Sequence, residues 1–389
     1  MELKTLWTQG HTQTILCVDA NKDGRVASGG EGGEICLWSP DGKIVSKRTF
    51  QSQSDVNNMC FSPAQPSLLY ISVGEVVEVF DIRCPLDSSM ARFVYNKDDI
   101  NQLAIDPKDT FLAACDDDGV VKIIDVQNRK VFKTLKGHDN ICSSVAFHPQ
   151  VPRELASGGF DCLVNTWDIS KGRPLVSLNM QELVSAEESA DEAASPYTIN
   201  PPFIHSVKFS RDGNLLACGL ENGQVQLLER KGRRNLLPRR ALVGHTLGVT
   251  QVCFMPDVPG QSRDLLLSAG NDCRLLVWDL NVSSDNEHKR TQDVAAGKPA
   301  ESTDGQPSKN TDVMLEAETT DVRTDKLCDS SLNECAADSP TASSKRLPII
   351  SLKHKEKINW VRPVHSSGGK SLVFVADVSE NLSVYQWQR

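Results

Sequence analysis

The sequence of 389 residues predicts an all-β fold, a seven-bladed β-propeller of four-stranded blades with one long disordered insertion. Three observations predict it. Segments ending in Trp-Asp or a substitute recur: Trp38-Ser39, Phe80-Asp81, Ile124-Asp125, Trp167-Asp168, Leu228-Glu229, Trp278-Asp279, and finally Tyr385 near Trp387. The first spacings are 42, 44 and 43 residues, inside the roughly 40–45 of one propeller blade. Within each unit, short apolar runs alternate with Gly, Asn, Asp and Pro turns, the pattern of successive antiparallel hairpins with no helical period between them.

Blade one offers Gly10-His11, Ser28 and Trp38, with Gly32 in the second-to-third strand turn. The run Gly29-Gly30-Glu31-Gly32-Gly33 looks like a phosphate loop, but a strand, Ile35–Trp38, follows it, and a phosphate loop opens a helix. It reads as a hairpin tip. Blade two lacks a Gly-His pair and has a shortened central hairpin around Gly74. Blade three keeps Asp118 in its turn but has Ile124 in place of Trp. Blade four is the most regular: Gly137-His138, Val145–Pro149, Leu155–Gly159, Asp161 and Trp167-Asp168. Blade five has Asn222 and Leu228, and blade six repeats blade four as Gly244-His245, Val252–Pro256, Leu267–Gly270, Asp272 and Trp278-Asp279. Blade seven starts near His354 and stops after its third strand, so the N-terminal segment Glu2–Trp7 is expected to supply its outer strand. Joining the first and last strands in one sheet closes the ring and leaves only short edges.

With Gly-His, Asp and Trp-Asp in register in two blades, the chain resembles the WD-repeat family over about four-fifths of its length. The resemblance implies a hydrogen-bonded tetrad in these blades: His138, Ser157, Asp161 and Trp167, and His245, Ser268, Asp272 and Trp278. Buried polar groups must be paired, and an Asp that orients a His, a His that meets a hydroxyl and a hydroxyl that meets an indole N–H satisfy one another.

The expected organisation is residues 1–280 for blades one to six, 281–346 for a disordered insertion and 347–389 for blade seven. Residues 281–346 contain no Phe, Trp or Tyr and carry 13 acids against 8 bases. Such a stretch cannot bury enough surface to offset its ordering entropy, and Ser339-Pro340 within it offers a phosphorylation site. A shorter acidic insertion, 181–200, has five acids and no Lys or Arg. Of the formal charge of −9, these two segments hold −10, so the propeller itself is nearly neutral and bulk charge favours no nucleic-acid partner. The twelve cysteines form no CxxC pair, and Cys17, Cys60, Cys142 and Cys253 sit among apolar residues. They read as buried reduced thiols. With no apolar signal core at the start and no apolar run near 20 residues, the expectation is an intracellular protein, cytoplasmic or nuclear, with no membrane association.

No nucleophile elbow, paired-His motif or zinc spacing appears, so neither catalysis nor a metal or cofactor is expected. Three candidate surfaces remain. Arg230-Lys231-Gly232-Arg233-Arg234 with Arg239-Arg240, in the third-to-fourth strand connection of blade five, is locally basic but has no interleaved aromatics, which weakens an RNA reading. A polar ring at the narrow face of the central channel comprises Asn57, Asn101, Ser143, His205, Thr250 and Asn359, and suits either a peptide or plain hydration. Val79-Phe80-Asp81-Ile82-Arg83 resembles the Trp-Asp-x-Arg ending of substrate receptors of cullin-4 RING ubiquitin ligases, which bind the damaged-DNA-binding adaptor protein. Phe80 replaces the Trp, and the equivalent of Arg83 in other blades is Asp41, Gln127, Ser170 or Asn281. An Asp two residues before an Arg can fix a guanidinium for bidentate contacts. The function expected is therefore a non-enzymatic protein-binding platform. In the sharper version Phe80, Asp81 and Arg83 dock the ligase adaptor; the alternative is a general scaffold or a chromatin or histone-tail reader.

Overall fold

The computed structural model describes residues 1–184, 201–256, 264–281, 347–365 and 371–387. The described strands form seven four-stranded antiparallel sheets. In blades one to six, four consecutive strands run from the innermost to the outer position. Blade four, for example, is Cys142–Phe147, Glu154–Gly159, Leu163–Asp168 and Pro174–Asn179. In the seventh sheet the order is Ile358–His365, Ser371–Asp377, Leu382–Trp387 and then Glu2–Trp7, with Trp7 opposite Leu382 and Glu2 opposite Gln386. Backbone hydrogen bonds along this last pairing join the two ends of the chain.

The burial pattern explains why the middle strands read as continuous apolar runs rather than alternations. Phe111–Asp116, Glu154–Gly159, Leu215–Leu220 and Leu265–Gly270 are buried at every position, because each blade is covered by a neighbour on both faces. The core is accordingly a set of inter-blade layers. One joins Cys17, Ile35 and Leu37 of blade one to Met59, Ile71 and Phe80 of blade two. Outer strands such as Ile44–Thr49 have no such cover and are mostly exposed.

Three expectations need correction here. Residues 347–353 do not begin blade seven: Ile350–Lys353 pairs with Arg274–Asp279, Val277 opposite Ile350 and Arg274 opposite Lys353, as the outer strand of blade six. The long insertion therefore interrupts one blade between its third and outer strands, where a free edge recaptures the returning chain. Beyond Asn281, the insertion to residue 346 lies outside the described residues. The acidic insertion 181–200 starts inside the packed structure: residues 180–184 are helical, and Met180 and Val184 are buried in the layer between blades four and five. Its remainder, 185–200, is also outside the described residues. Cys60 is half-buried rather than buried, whereas Cys17, Cys142 and Cys253 are buried.

Strand alternation fixes two faces. Turns from innermost to second strand and from third to outer strand lie on one face, the lower face below. Turns from second to third strand and the entries to the innermost strands lie on the upper face.

Candidate protein-binding sites

The middle hairpin of blade two, Leu68–Val73 with Val76–Asp81, turns over Gly74-Glu75 alone. Gly74 has a φ of 54°, the positive value such a two-residue turn requires at its first central position. Its third strand ends at Asp81 on the lower face, where the amide of Ile82 donates to the carbonyl of Ser67 at 2.8 Å. Asp81 Oδ1 then accepts the amide of Arg83 at 3.0 Å. The same local turn recurs in other blades: Asp168 accepts the Ser170 amide at 3.1 Å and Asp279 the Asn281 amide at 3.1 Å. The Asp of the Trp-Asp ending thus has a backbone role of its own. Blade two adds a guanidinium to that turn. Arg83 Nε donates to Oδ1 at 2.9 Å and Nη2 to Oδ2 at 2.6 Å. The Arg83 side chain is 74% exposed while that of Asp81 is 10% exposed. The hydrogen bond from Arg83 is the largest influence holding the Asp81 carboxyl below the usual range. So exposed a pair adds little to stability; its effect is to aim the guanidinium outward with its remaining donors free to solvent.

Phe80 does not share that surface. It is 1% exposed, packs edge-on against Phe50 and lies under the guanidinium of Arg48, 5.4 Å from its ring centroid. The adaptor contact expected of Phe80 is corrected to a positioning role: a large apolar ring at the Trp position anchors the strand that presents Asp81 and Arg83.

The tetrad residues of blades four and six come together. Trp167 Nε1 donates to Ser157 Oγ at 2.8 Å, His138 Nε2 lies 2.7 Å from the same oxygen, and His138 Nδ1 lies 3.0 Å from both Asp161 oxygens. With the Nδ1 proton toward the carboxylate, Nε2 is left to accept the serine hydroxyl proton. In blade six the distances are 2.9 Å from Trp278 to Ser268, 2.8 Å from Ser268 to His245 and 2.9 Å from His245 to Asp272. Both Asp carboxyls are held below their usual range by the hydrogen bond to His, against the upward push of burial, the larger single influence.

Three other blades build a polar network by moving the acid, which sequence reading missed. In blade one, Glu34 takes over from the absent Asp: its Oε2 is 3.6 Å from His11 Nδ1 and accepts the Thr12 amide at 2.7 Å. Burial lowers the pKa of His11 to about 4, the Glu34 charge opposing the shift. In blade three, Asp118 is exposed, and Asp116, two residues earlier, accepts Asn96 Nδ2 at 2.8 Å. In blade seven, Asp377 at the matching place lies 2.6 Å from His354 Nε2, while His354 Nδ1 lies 2.6 Å from the hydroxyl of Tyr385. Blades four and six carry Gly159 and Gly270 at that strand position, where a Cβ would stand 2.7 Å and 2.9 Å from the His Nδ1. An acid on the strand and an acid in the turn are alternative ways to meet the same imidazole.

All six residues of the channel ring lie at the upper mouth and are half-buried. Five of them, Asn101, Ser143, His205, Thr250 and Asn359, occupy a β-bulge, the register shifting around each. The extra residue re-aims its side chain, here sideways toward the next blade. Asn57 Nδ2 donates to Ile100 O at 3.3 Å, Asn101 Nδ2 to Cys142 O at 3.3 Å, Thr250 Oγ1 to Ile358 O at 2.8 Å and Asn359 Nδ2 to Ile15 O at 2.9 Å. Ser143 Oγ likewise bonds to Ile204 O. His205 instead meets Glu221 at 2.6 Å. The polar atoms are largely committed to blade-to-blade links, which the seventh position, Leu16, cannot make.

The basic stretch is also partly committed. Arg230 ends the third strand of blade five, and Arg239 and Arg240 lie in its outer strand Leu236–Val243, so the connection itself is only 231–235. Arg230 pairs with Glu154 of blade four at 2.7 Å and Arg233 with the same carboxylate at 3.3 Å. The Gly29–Gly33 run forms a hairpin tip with a single 3₁₀ turn at Glu31–Gly33. No group of His, Cys, Asp and Glu among the described residues has metal-binding geometry. Among those residues no helix is long and apolar enough to cross a membrane, which leaves β-barrels unaddressed.

A seven-sheet ring with His–Ser–Trp networks defines a class, and comparison with known proteins agrees with it. The family model "WD domain, G-beta repeat" matches residues 2–39, 88–125, 129–168 and 237–279. The chain is 30% identical over 291 residues to the "WD repeat-containing protein 53 homolog" of Dictyostelium discoideum, covering 70% of this chain and 77% of that protein. It belongs to the WD-repeat family, whose propellers are in general non-catalytic, and its WD repeats imply a scaffold for protein interaction. More distant similarity extends to "Protein SUPPRESSOR OF PHYA-105 1" of Arabidopsis thaliana, 25% identical over 62% of this chain, and to "Protein groucho" of Drosophila melanogaster, 22% identical over 57%. The alignments span 22% and 28% of those two proteins' own lengths.

Proposed function

We propose that the scaffold is a substrate receptor of a cullin-4 RING ubiquitin ligase, docking the damaged-DNA-binding adaptor on its lower face through Asp81 and Arg83. The observation that carries this reading is the Asp81–Arg83 fork: a guanidinium fixed by two hydrogen bonds, yet 74% exposed. Holding a long cationic side chain in one geometry removes part of the entropy a partner would otherwise have to freeze out, and a fork suits bidentate contact with carboxylates or carbonyls. The upper face would then recruit the protein to be modified.

The test is co-precipitation of the adaptor with wild type and with Arg83→Ala. This single change leaves the Asp81 turn intact, whereas the Asp81→Ala, Arg83→Ala pair also removes a backbone acceptor. At least tenfold weaker capture by Arg83→Ala, with an unchanged melting temperature, is the expected result. Equal capture by both proteins, or none by wild type, ends the receptor reading. In that event the second reading, a reader of basic tails, has Asp99 on the upper face in its favour. Burial first, then the charges of Asp117, Asp98, Asp55 and Glu75, push its carboxyl above the usual range. A local excess of carboxylates is what a Lys- or Arg-rich tail neutralises.

A further inference from the structure

The lower end of the central channel opens into a cavity of about 350 Å³ to which all seven blades contribute. Its wall is largely apolar, including Met59, Phe61, Ile105 and Phe147. Four charged residues line it, the exposed Arg211 and three on innermost strands. Asp19 lies on the innermost strand of blade one, Lys208 on that of blade five and Arg362 on that of blade seven. Asp19 is fully engaged: Oδ1 pairs with Arg362 Nε at 2.7 Å, and Oδ2 accepts the amide of Phe61 at 2.7 Å. That leaves the terminal nitrogens of Arg362, whose side chain is 44% exposed within the channel. It also leaves the whole ammonium of Lys208, which has no hydrogen-bond or ion-pair partner among the described residues.

A lysine turned into a protein channel with no ion-pair partner is costly to keep, and the carboxylate of Asp19 in the same cavity is already paired with Arg362. Surface lysines escape by extending into water, but Lys208 is on the channel side of an innermost strand. Loss of solvation is the largest influence and pushes its pKa down; the charge of Arg362 acts the same way, while Cys253 and Asp19 oppose it. The arrangement has the parts of an anion site: a point charge from one blade, an open guanidinium edge from another, and apolar walls that weaken screening.

We propose that this lower mouth binds a compact oxyanion group, carboxylate or phosphate, between the Lys208 ammonium and the terminal nitrogens of Arg362. The proposal does not rest on the adaptor reading, since Arg83 lies on a different blade and outside the cavity lining. Asp19 sets the selectivity. By pairing with Arg362 it offsets one of the two cations on the innermost strands, so a compact anion is favoured between Lys208 and Arg362.

The experiment uses the full chain. Thermal melts in inorganic phosphate and in citrate, each against sodium chloride at the same ionic strength, should show a saturable stabilisation by at least one anion. Binding of a Glu-rich peptide, followed by titration calorimetry, separates an oxyanion carried on a polypeptide from a free ion. Lys208→Met should weaken whichever interaction is found at least tenfold, and Lys208→Arg should restore it. Without anion, Lys208→Met should melt no lower than wild type, because a structural lysine would be missed whereas an uncompensated one would not. The proposal fails if neither ion nor peptide binds saturably, if Lys208→Met binds as wild type does, or if Lys208→Met is destabilised without ligand.

Discussion

Asp161→Ala tests the polar network where its geometry is most complete. The carboxylate accepts His138 Nδ1 at 3.0 Å and the amides of Asp139 and Leu163 at 3.1 Å each. The His138 side chain is fully buried and that of Asp161 is 8% exposed. Removing the acceptor leaves a buried imidazole N–H unpaired, which costs about 1–3 kcal/mol. The two amides lie at a turn that water reaches, so their loss adds less. The sum is about 2–3 kcal/mol, and with an m-value of about 3 kcal/mol/M the urea midpoint should fall by roughly 0.7–1 M. The control is Asp118→Ala in blade three, the same place in the repeat pattern. Asp118 is exposed and has no side-chain partner among the described residues, so its loss should stay within about 0.5 kcal/mol. A His138→Ala, Asp161→Ala double mutant should be less destabilised than the sum of its singles, by about 1 kcal/mol or more. If Asp161→Ala and Asp118→Ala unfold at one midpoint, the network contributes nothing and its geometry is incidental.

Other consequences can be measured alongside. His11 has a folded-state pKa of about 4 against an ordinary 6.5, so the unfolded chain takes up a proton first as pH falls. Its contribution is whole above pH 6.5 and is lost between 6.5 and 4, up to about 3 kcal/mol. The drop in denaturation free energy from pH 7 to 4.5 should therefore be smaller in His11→Gln; equal drops would remove His11 as the cause. Glu154→Gln should cost about 2–4 kcal/mol by leaving the largely buried Arg230 without its counter-charge, and adding Arg230→Met should restore part of the melting temperature. Asn359→Ala should cost about 1 kcal/mol, with faster amide exchange across Glu2–Trp7 and Leu382–Trp387, since Asn359 links blade seven to Ile15. Unchanged exchange there would show that this bond does not guard the closure.

The blades were legible because a four-stranded unit covered on both sides must repeat its apolar runs and turns, and Trp167-Asp168 and Trp278-Asp279 mark the register. The closing strand was legible because Glu2–Trp7 precedes the innermost strand of blade one and belongs to none of that blade's four strands; it pairs with Leu382–Trp387. What the repeat pattern hid was substitution in space. Glu34 stands two residues after the turn position, Asp116 and Asp377 two before it; Asp377 meets His354, Asp116 meets Asn96, and Glu34 accepts the Thr12 amide beside His11. A linear motif fixes a position, whereas a buried imidazole requires only an acceptor within reach. The outer strand Ile350–Lys353 was assigned to the wrong blade for a related reason. Strand pairing is decided by the open edge of Arg274–Asp279, and the long intervening segment says nothing about it. The ring residues share one mouth of the channel, but the bulges that turn five of them sideways leave no mark in the sequence.

Those bulges bear on where partners bind. In a propeller of near-neutral charge, recognition depends on polar groups that folding has not used. At the upper mouth the neutral donors are largely used in blade-to-blade bonds, and the groups left are carboxylates around Asp99. At the lower mouth the carboxylate of Asp19 is used, and the groups left are the cations Lys208 and Arg362, with Arg83 outside on the same face. If both proposed sites hold, the channel axis runs from acid to base, and each face takes a partner of opposite sign. A ligase receptor needs such a division, because adaptor and substrate must occupy it together without competing. A scaffold that held a single tail through the channel would instead need polar groups free along its whole length, and the bonds made by Asn57, Asn101, Ser143, Thr250 and Asn359 have taken most of them.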